Sequence, residues 1–213
     1  MDDQHSAPNG TLRGNDPFVA PSFSLRNRMA RGFWSLVWLL LFRPSPRMAH
    51  RWRAMLLRAF GAQLGPHVHI YPSVKVWAPW NLVCESHVGV GDGATLYSMA
   101  QISLGHHVVV SQGAHLCTGS HDIHSANFQL VTAPIRIEPY TWICAEAFIG
   151  PGVSSAEGCV IAARAVVMRS LKEEWAVWAG NPARRIALRR NSELIETNLS
   201  ETKTALQDSG NSY

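Results

Sequence analysis

Acidic residues are absent from residues 23–60, a stretch that holds arginines at 26, 28, 31, 43, 47, 51, 53 and 58. Charge is scarce in the 213-residue chain as a whole: 16% of residues are charged against 46% hydrophobic, a balance that excludes a disordered protein. Long apolar runs are missing too. The strongest, Phe33 to Phe42, is half the length of about 20 residues that a helix needs to cross a bilayer. The four cysteines, Cys84, Cys117, Cys144 and Cys159, include no CxxC pair, so neither a zinc ribbon nor a disulfide framework is encoded. Reduced thiols in a cytosolic protein are the expectation. Residues 1–10 are polar and acidic, without the basic and then apolar start of a secretory signal, and export is not expected.

The formal net charge of +4 conceals a division by segment. Residues 1–22 carry −2 and read as a flexible arm, 23–60 carry +8, 61–170 carry −2, 171–190 carry +3, and the polar tail 191–213 carries −3. The basic segment 23–60 reads as two helices broken at Arg43-Pro44-Ser45-Pro46, because proline removes a donor and disfavours helix in the residue before it. Phe33, Trp34, Val37, Trp38 and Leu41 recur at helical spacing on the first helix, and Trp52, Met55, Leu56, Ala59 and Phe60 on the second. These faces either pack on the main domain or on a neighbouring subunit, or they form an arginine-flanked anchor at an anionic membrane. Interleaving of arginines with core-like apolar positions, and the lack of a recognised motif, argue against nucleic acid as a partner.

From Leu64 the period becomes six. Apolar residues at Leu64, Ile70, Val76, Cys84, Val90, Leu96, Leu104, Val110 and Leu116 are followed four positions later by mostly small or β-branched residues, with Trp80, Ala100 and Ser120 in that second column. The pattern resumes at Ile137, Ile143, Ile149, Ser155 and Ile161. So short a repeat cannot fold alone, and stacking it builds a parallel β-helix, an all-β solenoid. Three hexads close one triangular coil. The two-residue interruptions Leu82-Val83 and Ile102-Ser103 should stack at one corner. About six coils at one strand spacing of about 4.8 Å each give a prism of roughly 29 Å.

The hexads resemble those of the left-handed β-helix acyltransferases. Val177-Trp178-Ala179-Gly180-Asn181-Pro182-Ala183-Arg184 is similar to the closing AGNPA motif of that superfamily. Leu116-Cys117-Thr118-Gly119-Ser120-His121-Asp122 and Trp142-Ile143-Cys144-Ala145-Glu146-Ala147 resemble the colanic acid biosynthesis acetyltransferase subgroup. The resemblance implies a left-handed parallel β-helix over residues 61–170 with N-terminal helices and a short C-terminal helix in 171–190. It also implies a homotrimer and acetyl-CoA as cosubstrate.

The period breaks after His121, so residues 122–136 must leave the coil as a loop, a favoured place for function on a rigid scaffold. His121, at the root of the loop, has the chemistry of a general base able to take the proton of an acceptor hydroxyl, and the family's catalytic histidine falls on it. Asp122, adjacent in sequence, and Glu146, one coil on, are both candidates to orient its ring. The resemblance implies the Ala145 N–H as oxyanion donor and Trp142 as wall of the acyl or pantetheine slot. It implies Ala163, Met168 and Arg169 along the pantetheine arm, with Arg184 near the nucleotide. Relatives often carry Thr-Lys where this chain has Met168-Arg169, and an Asn and an acid where it has Thr95 and Ala100.

The expected activity is O-acetyl transfer from acetyl-CoA to a sugar hydroxyl of a surface polysaccharide or its lipid-linked precursor, in the cytoplasm or at the inner face of its membrane. Two alternatives stand beside it. One is a non-catalytic trimeric scaffold. The other is a γ-class carbonic anhydrase-like enzyme with zinc on His87, His115 and His121, whose spacing does not resemble that family's.

Overall fold

A computed structural model describes residues 11, 12 and 14–189; the expected polar tail, Arg190 and the first ten residues of the arm lie outside the described residues. The rest of the expected arm doubles back, with Thr11 and Phe23 pairing antiparallel and both buried.

Helix α1, Leu25–Val37, starts where the Ser24 hydroxyl accepts a hydrogen bond from the Asn27 N–H, and it runs on into a π-helical turn, Trp38–Phe42. The prolines end it, and α2 follows at His50–Ala59. The inward side of α1 is fastened to the solenoid by two indoles, whose N–H groups donate to Val76 O at 2.7 Å (Trp34) and to Val74 O at 2.8 Å (Trp38). Phe42 beyond them is fully buried.

Helix α2 is held by an unexpected anchor. Arg53 is fully buried, and its guanidinium donates to Ile70 O at 2.6 Å, Ser45 Oγ at 2.8 Å, Pro46 O at 2.8 Å and Arg47 O at 2.7 Å. A buried cation thus ties the proline break and α2 to the first coil through backbone carbonyls, which offset its desolvation. One of the eight arginines of the basic segment is therefore a core residue and does not flank an anchor.

The body is a parallel β-solenoid with three faces. Its first face begins with Gln63–Leu64, the second with His69–Ile70 and the third with Lys75–Val76. Gln63 pairs with Val83 and Val83 with Ser103, a step of 20 residues per coil. Leu82 lies over Ile102, so the two pairs stack, but within strands of the first face and not at the expected corner. Ser103 then pairs with Arg136, a longer step that contains the extruded segment, and Trp142 with Val160 marks a plain coil of 18.

At one corner the inward column differs from expectation. Ala78, Ser98 and Thr118 are buried where Trp80 and Ser120 were expected, and Ser120 is exposed. The two extra residues per coil enter at this corner, so the chain turns two positions earlier. Ser98 Oγ bridges Ala78 N and O at 3.0 Å each, and Thr118 Oγ1 accepts from Ala100 N at 2.9 Å, which satisfies the freed backbone.

Another corner carries a column of rings. His67 stacks on His87 at 4.8 Å, His87 on His107 at 4.7 Å, and His107 on Tyr140 at 5.1 Å, each residue at positive φ. The next coil has Gly158, where an added Cβ would run into the Trp175 ring, and Trp175 closes the column. Loss of hydration and neighbouring His107, His67, His106 and His69 hold the His87 pKa below its ordinary value.

The end of the solenoid corrects the expected C-terminal helix. Ala176–Ala179 and Arg184–Leu188 form an antiparallel hairpin across Gly180-Asn181-Pro182. Val177, Trp178 and Ile186 favour a pleated strand, and the turn residues stop any helix between them. Arg185 pairs with Glu173 at 2.8 Å and Arg189 donates to Tyr140 O at 3.0 Å, so these two arginines pin the hairpin to the body.

Candidate active site

The extruded segment is an antiparallel hairpin of Gly119–His121 with Leu130–Thr132, so it leaves the coil three residues before the expected loop begins, and the chain rejoins the first face at Ile135, two residues earlier than expected. His121 is exposed on it, and its Nδ1 lies 2.6 Å from the carbonyl oxygen of Phe128. A carbonyl only accepts, so Nδ1 carries the proton and donates it, and in that tautomer the free lone pair is on Nε2. Phe128 holds that carbonyl from a positive φ of 47°, a conformation that bulky residues adopt at a cost.

Neither expected carboxylate orients the ring. Asp122 instead accepts from the His124 N–H at 2.9 Å and pins the hairpin turn. Glu146 lies on the corner between the second and third faces, paired at 2.6 Å with Arg164 of the next coil. The orienting group is a main-chain oxygen, which side-chain motifs do not reveal.

Register fixes what surrounds the hairpin. Cys117, just before it, stacks under Gly150 and then under Met168, since Leu116 pairs with Ile149 and Ile149 with Val167. Met168 therefore lies about 10 Å along the axis from the root of the hairpin, two strand spacings away. Met168, Arg169 and Arg184 line a cavity of about 330 Å³ there, walled by Trp178, Pro182 and Ala183. The Arg184 side chain spends one donor on Ala183 O at 3.1 Å and meets no carboxylate among the described residues. It remains available to an anion.

The other expected cosubstrate residues lie elsewhere. Trp142 stands half-exposed on the second face, its indole N–H donating to Ser111 Oγ at 2.9 Å. Ala145 and Ala163 follow on the corner beyond, where Ala145 O accepts from Arg164 N at 3.0 Å and the Ala145 N–H donates to none of the described residues. One chain thus carries the expected binding residues apart, with Trp142, Ala145 and Ala163 on the second face and the corner after it, and Met168, Arg169 and Arg184 at the far edge of the third face.

On the other side of the hairpin, between α1 and the third face, opens a cavity of about 540 Å³. Arg31, Trp34 and Trp38 wall it, and Lys75, Trp77, Thr95, Tyr97, His115 and Cys117 floor it. The Trp34 and Trp38 N–H groups are already used, so these rings present apolar surface. Arg31 lies over the Trp77 ring at 4.2 Å, and burial lowers its pKa. His115 Nε2 is buried without a partner, and burial lowers the His115 pKa, which keeps the ring neutral. Ala100 is buried behind Thr118 and does not reach this cavity, whereas Thr95 lines it. Sequence reasoning missed the cavity as a whole, although Trp77, Tyr97 and His115 at outward positions of consecutive coils were a legible signal.

His87, His115 and His121 do not converge. His87 lies in the ring column, His115 on the third face and His121 on the hairpin, and among the described residues no group of three or more His, Cys, Asp and Glu could hold a metal.

No protein-family profile matches the chain. It is 41% identical over 165 residues, 78% of this chain and 90% of the relative, to the protein of Escherichia coli K12 assigned to colanic acid biosynthesis as the acetyltransferase WcaF. Among solved structures it resembles a hexapeptide-repeat acetyltransferase of Vibrio cholerae complexed with acetyl coenzyme A. The TM-score is 0.71 at 22% identity, covering 79% of this chain and 91% of that one. A galactoside acetyltransferase in complex with coenzyme A is matched with a TM-score of 0.70 at 21% identity, over 76% of this chain and 82% of that one. The hexads and the identity over nine-tenths of the relative agree: the chain belongs to the hexapeptide-repeat acetyltransferases, in the colanic acid biosynthesis acetyltransferase family.

Proposed function

We propose that the protein moves acetyl from acetyl-CoA to a hydroxyl of a saccharide or lipid-linked saccharide in surface-polysaccharide biosynthesis, with His121 as general base. The observation that carries this is the 2.6 Å contact of His121 Nδ1 with Phe128 O, which leaves Nε2 ready to accept a proton. A sugar hydroxyl is far too weak an acid to attack a thioester unaided. His121 takes the hydroxyl proton as the oxygen bonds to the acetyl carbon. The imidazolium so formed returns the proton to the sulfur as the C–S bond breaks, giving an acetyl ester and coenzyme A thiol. The free Ala145 N–H is the candidate donor to the developing oxyanion.

The cavities on either side of the hairpin support the assignment of roles. The one with Arg169 and Arg184 suits the phosphates of coenzyme A, and the aromatic one with Thr95, Tyr97, His115 and Lys75 suits a sugar, which presents both apolar faces and hydroxyls. Division of the cosubstrate residues between these two places supports a homotrimer in which neighbouring copies complete one site. Four free cysteines, with Cys84 buried and its pKa pushed up to about 12, fit a reducing cytoplasm. Assay of acetyl transfer onto a panel of free and lipid-linked oligosaccharides tests the reading. Acetylation of one member supports it, and turnover with an amine but no hydroxyl acceptor would overturn it.

A further inference from the structure

Residues 25–42 are apolar on two sides. The inward side, with Trp34, Trp38 and Phe42, is committed to the solenoid. On the outward side Leu25, Met29, Phe33, Leu36 and Leu40 recur at spacings of three and four, one helical stripe, and all are between 52% and 67% exposed. The Trp52 indole N–H donates to Leu41 O at 3.0 Å, so exposed Trp52 and Met55 of α2 extend the same surface.

Charge around the stripe has one sign. Arg26, Arg28, Arg43 and Arg51 are exposed and meet no carboxylate among the described residues, and residues 23–60 contain no acid at all. The chain therefore displays an apolar ridge with unneutralised cations beside it, a costly surface to leave in water. Among the described residues no helix is long and apolar enough to cross a membrane.

We propose that the outward face of α1, its π-turn and α2 docks in the plane of an anionic lipid bilayer, with the apolar stripe in the acyl boundary and the arginines at the headgroups. Charge complementarity selects this occupant, since a second copy of the face would bring the unpaired Arg26, Arg28, Arg43 and Arg51 against their own copies. The proposal goes beyond acetyl transfer and does not depend on it. It has a geometric consequence, because the inward side of α1 walls the aromatic cavity: a docked molecule holds that cavity at the lipid–water boundary.

The test is flotation of the full chain with vesicles of phosphatidylcholine alone and with 30% phosphatidylglycerol, at low and at 0.5 M salt. The expected result is binding at least tenfold stronger to the anionic vesicles, weakened by salt. Phe33→Ser/Leu36→Ser/Leu40→Ser and, separately, Arg26→Glu/Arg28→Glu should each reduce it at least tenfold while melting temperature and oligomeric mass stay unchanged. Failure of the unmodified chain to float, equal binding to both vesicles, or variants that alter the oligomeric mass instead would overturn the proposal, the last by making the face a subunit interface.

Discussion

His121 Nδ1 and the carbonyl oxygen of Phe128 meet at 2.6 Å across the extruded hairpin. This bond sets the tautomer of the ring without any carboxylate, and under the proposed mechanism the conformation of residue 128 positions the general base.

Carboxylates should accordingly matter little. Asp122→Asn keeps an acceptor for the His124 N–H, and Glu146→Gln breaks only an exposed pair with Arg164, so each should lower the rate of transfer less than about threefold. A loss of a thousandfold in steady-state kinetics of either variant would assign the orienting role to that carboxylate.

Arg169 and Arg184 should reveal themselves in binding. Replacing either with Ala removes one charge-assisted contact to phosphate, and the KM for acetyl-CoA should rise about tenfold with kcat nearly unchanged. A fall in kcat at constant KM would contradict a role confined to the cosubstrate.

Arg53 tests the anchoring of α2. Arg53→Met leaves the carbonyls of Pro46 and Arg47 without this donor and Ile70 O with only His50, and should cost about 2–4 kcal/mol in urea unfolding. Arg26→Met, at an exposed position, should cost less than about 0.5 kcal/mol.

Stability should fall on acidification. His50, His87 and His115 all have pKa values below the ordinary range, each first through burial or lost hydration. Near the unfolded value of about 6.5 the unfolded chain therefore binds more protons than the native one, and stability rises with pH there. Melting temperature should drop as pH is lowered from neutrality through that value. His87→Tyr, which copies Tyr140 in the same column, should flatten the dependence, and an equally steep profile in the variant would remove the ring column as a cause.

Legibility in the sequence followed the kind of interaction. Apolar hexads are a burial signal, so the coils and an extruded segment beside His121 could be read directly, whereas its start at Gly119 and the corner where extra residues enter could not. Ala78 and Thr118 replaced Trp80 and Ser120 because inserted residues move the turn, a property of backbone geometry. Arg53 was illegible because its partners are carbonyls, which every residue has. Phe128 escaped for the same reason, and residues 184–188 were expected as helix from the family resemblance, since their own pattern says nothing of the strand they pair with.

The most direct measurement is the rate of coenzyme A thiol release from acetyl-CoA in the presence of an accepted oligosaccharide, compared between the unmodified chain and His121→Ala, with acetyl-CoA affinity measured alongside. Loss of the general base should slow transfer by about 10²–10⁴-fold while affinity stays unchanged. Full activity in the variant would contradict the account.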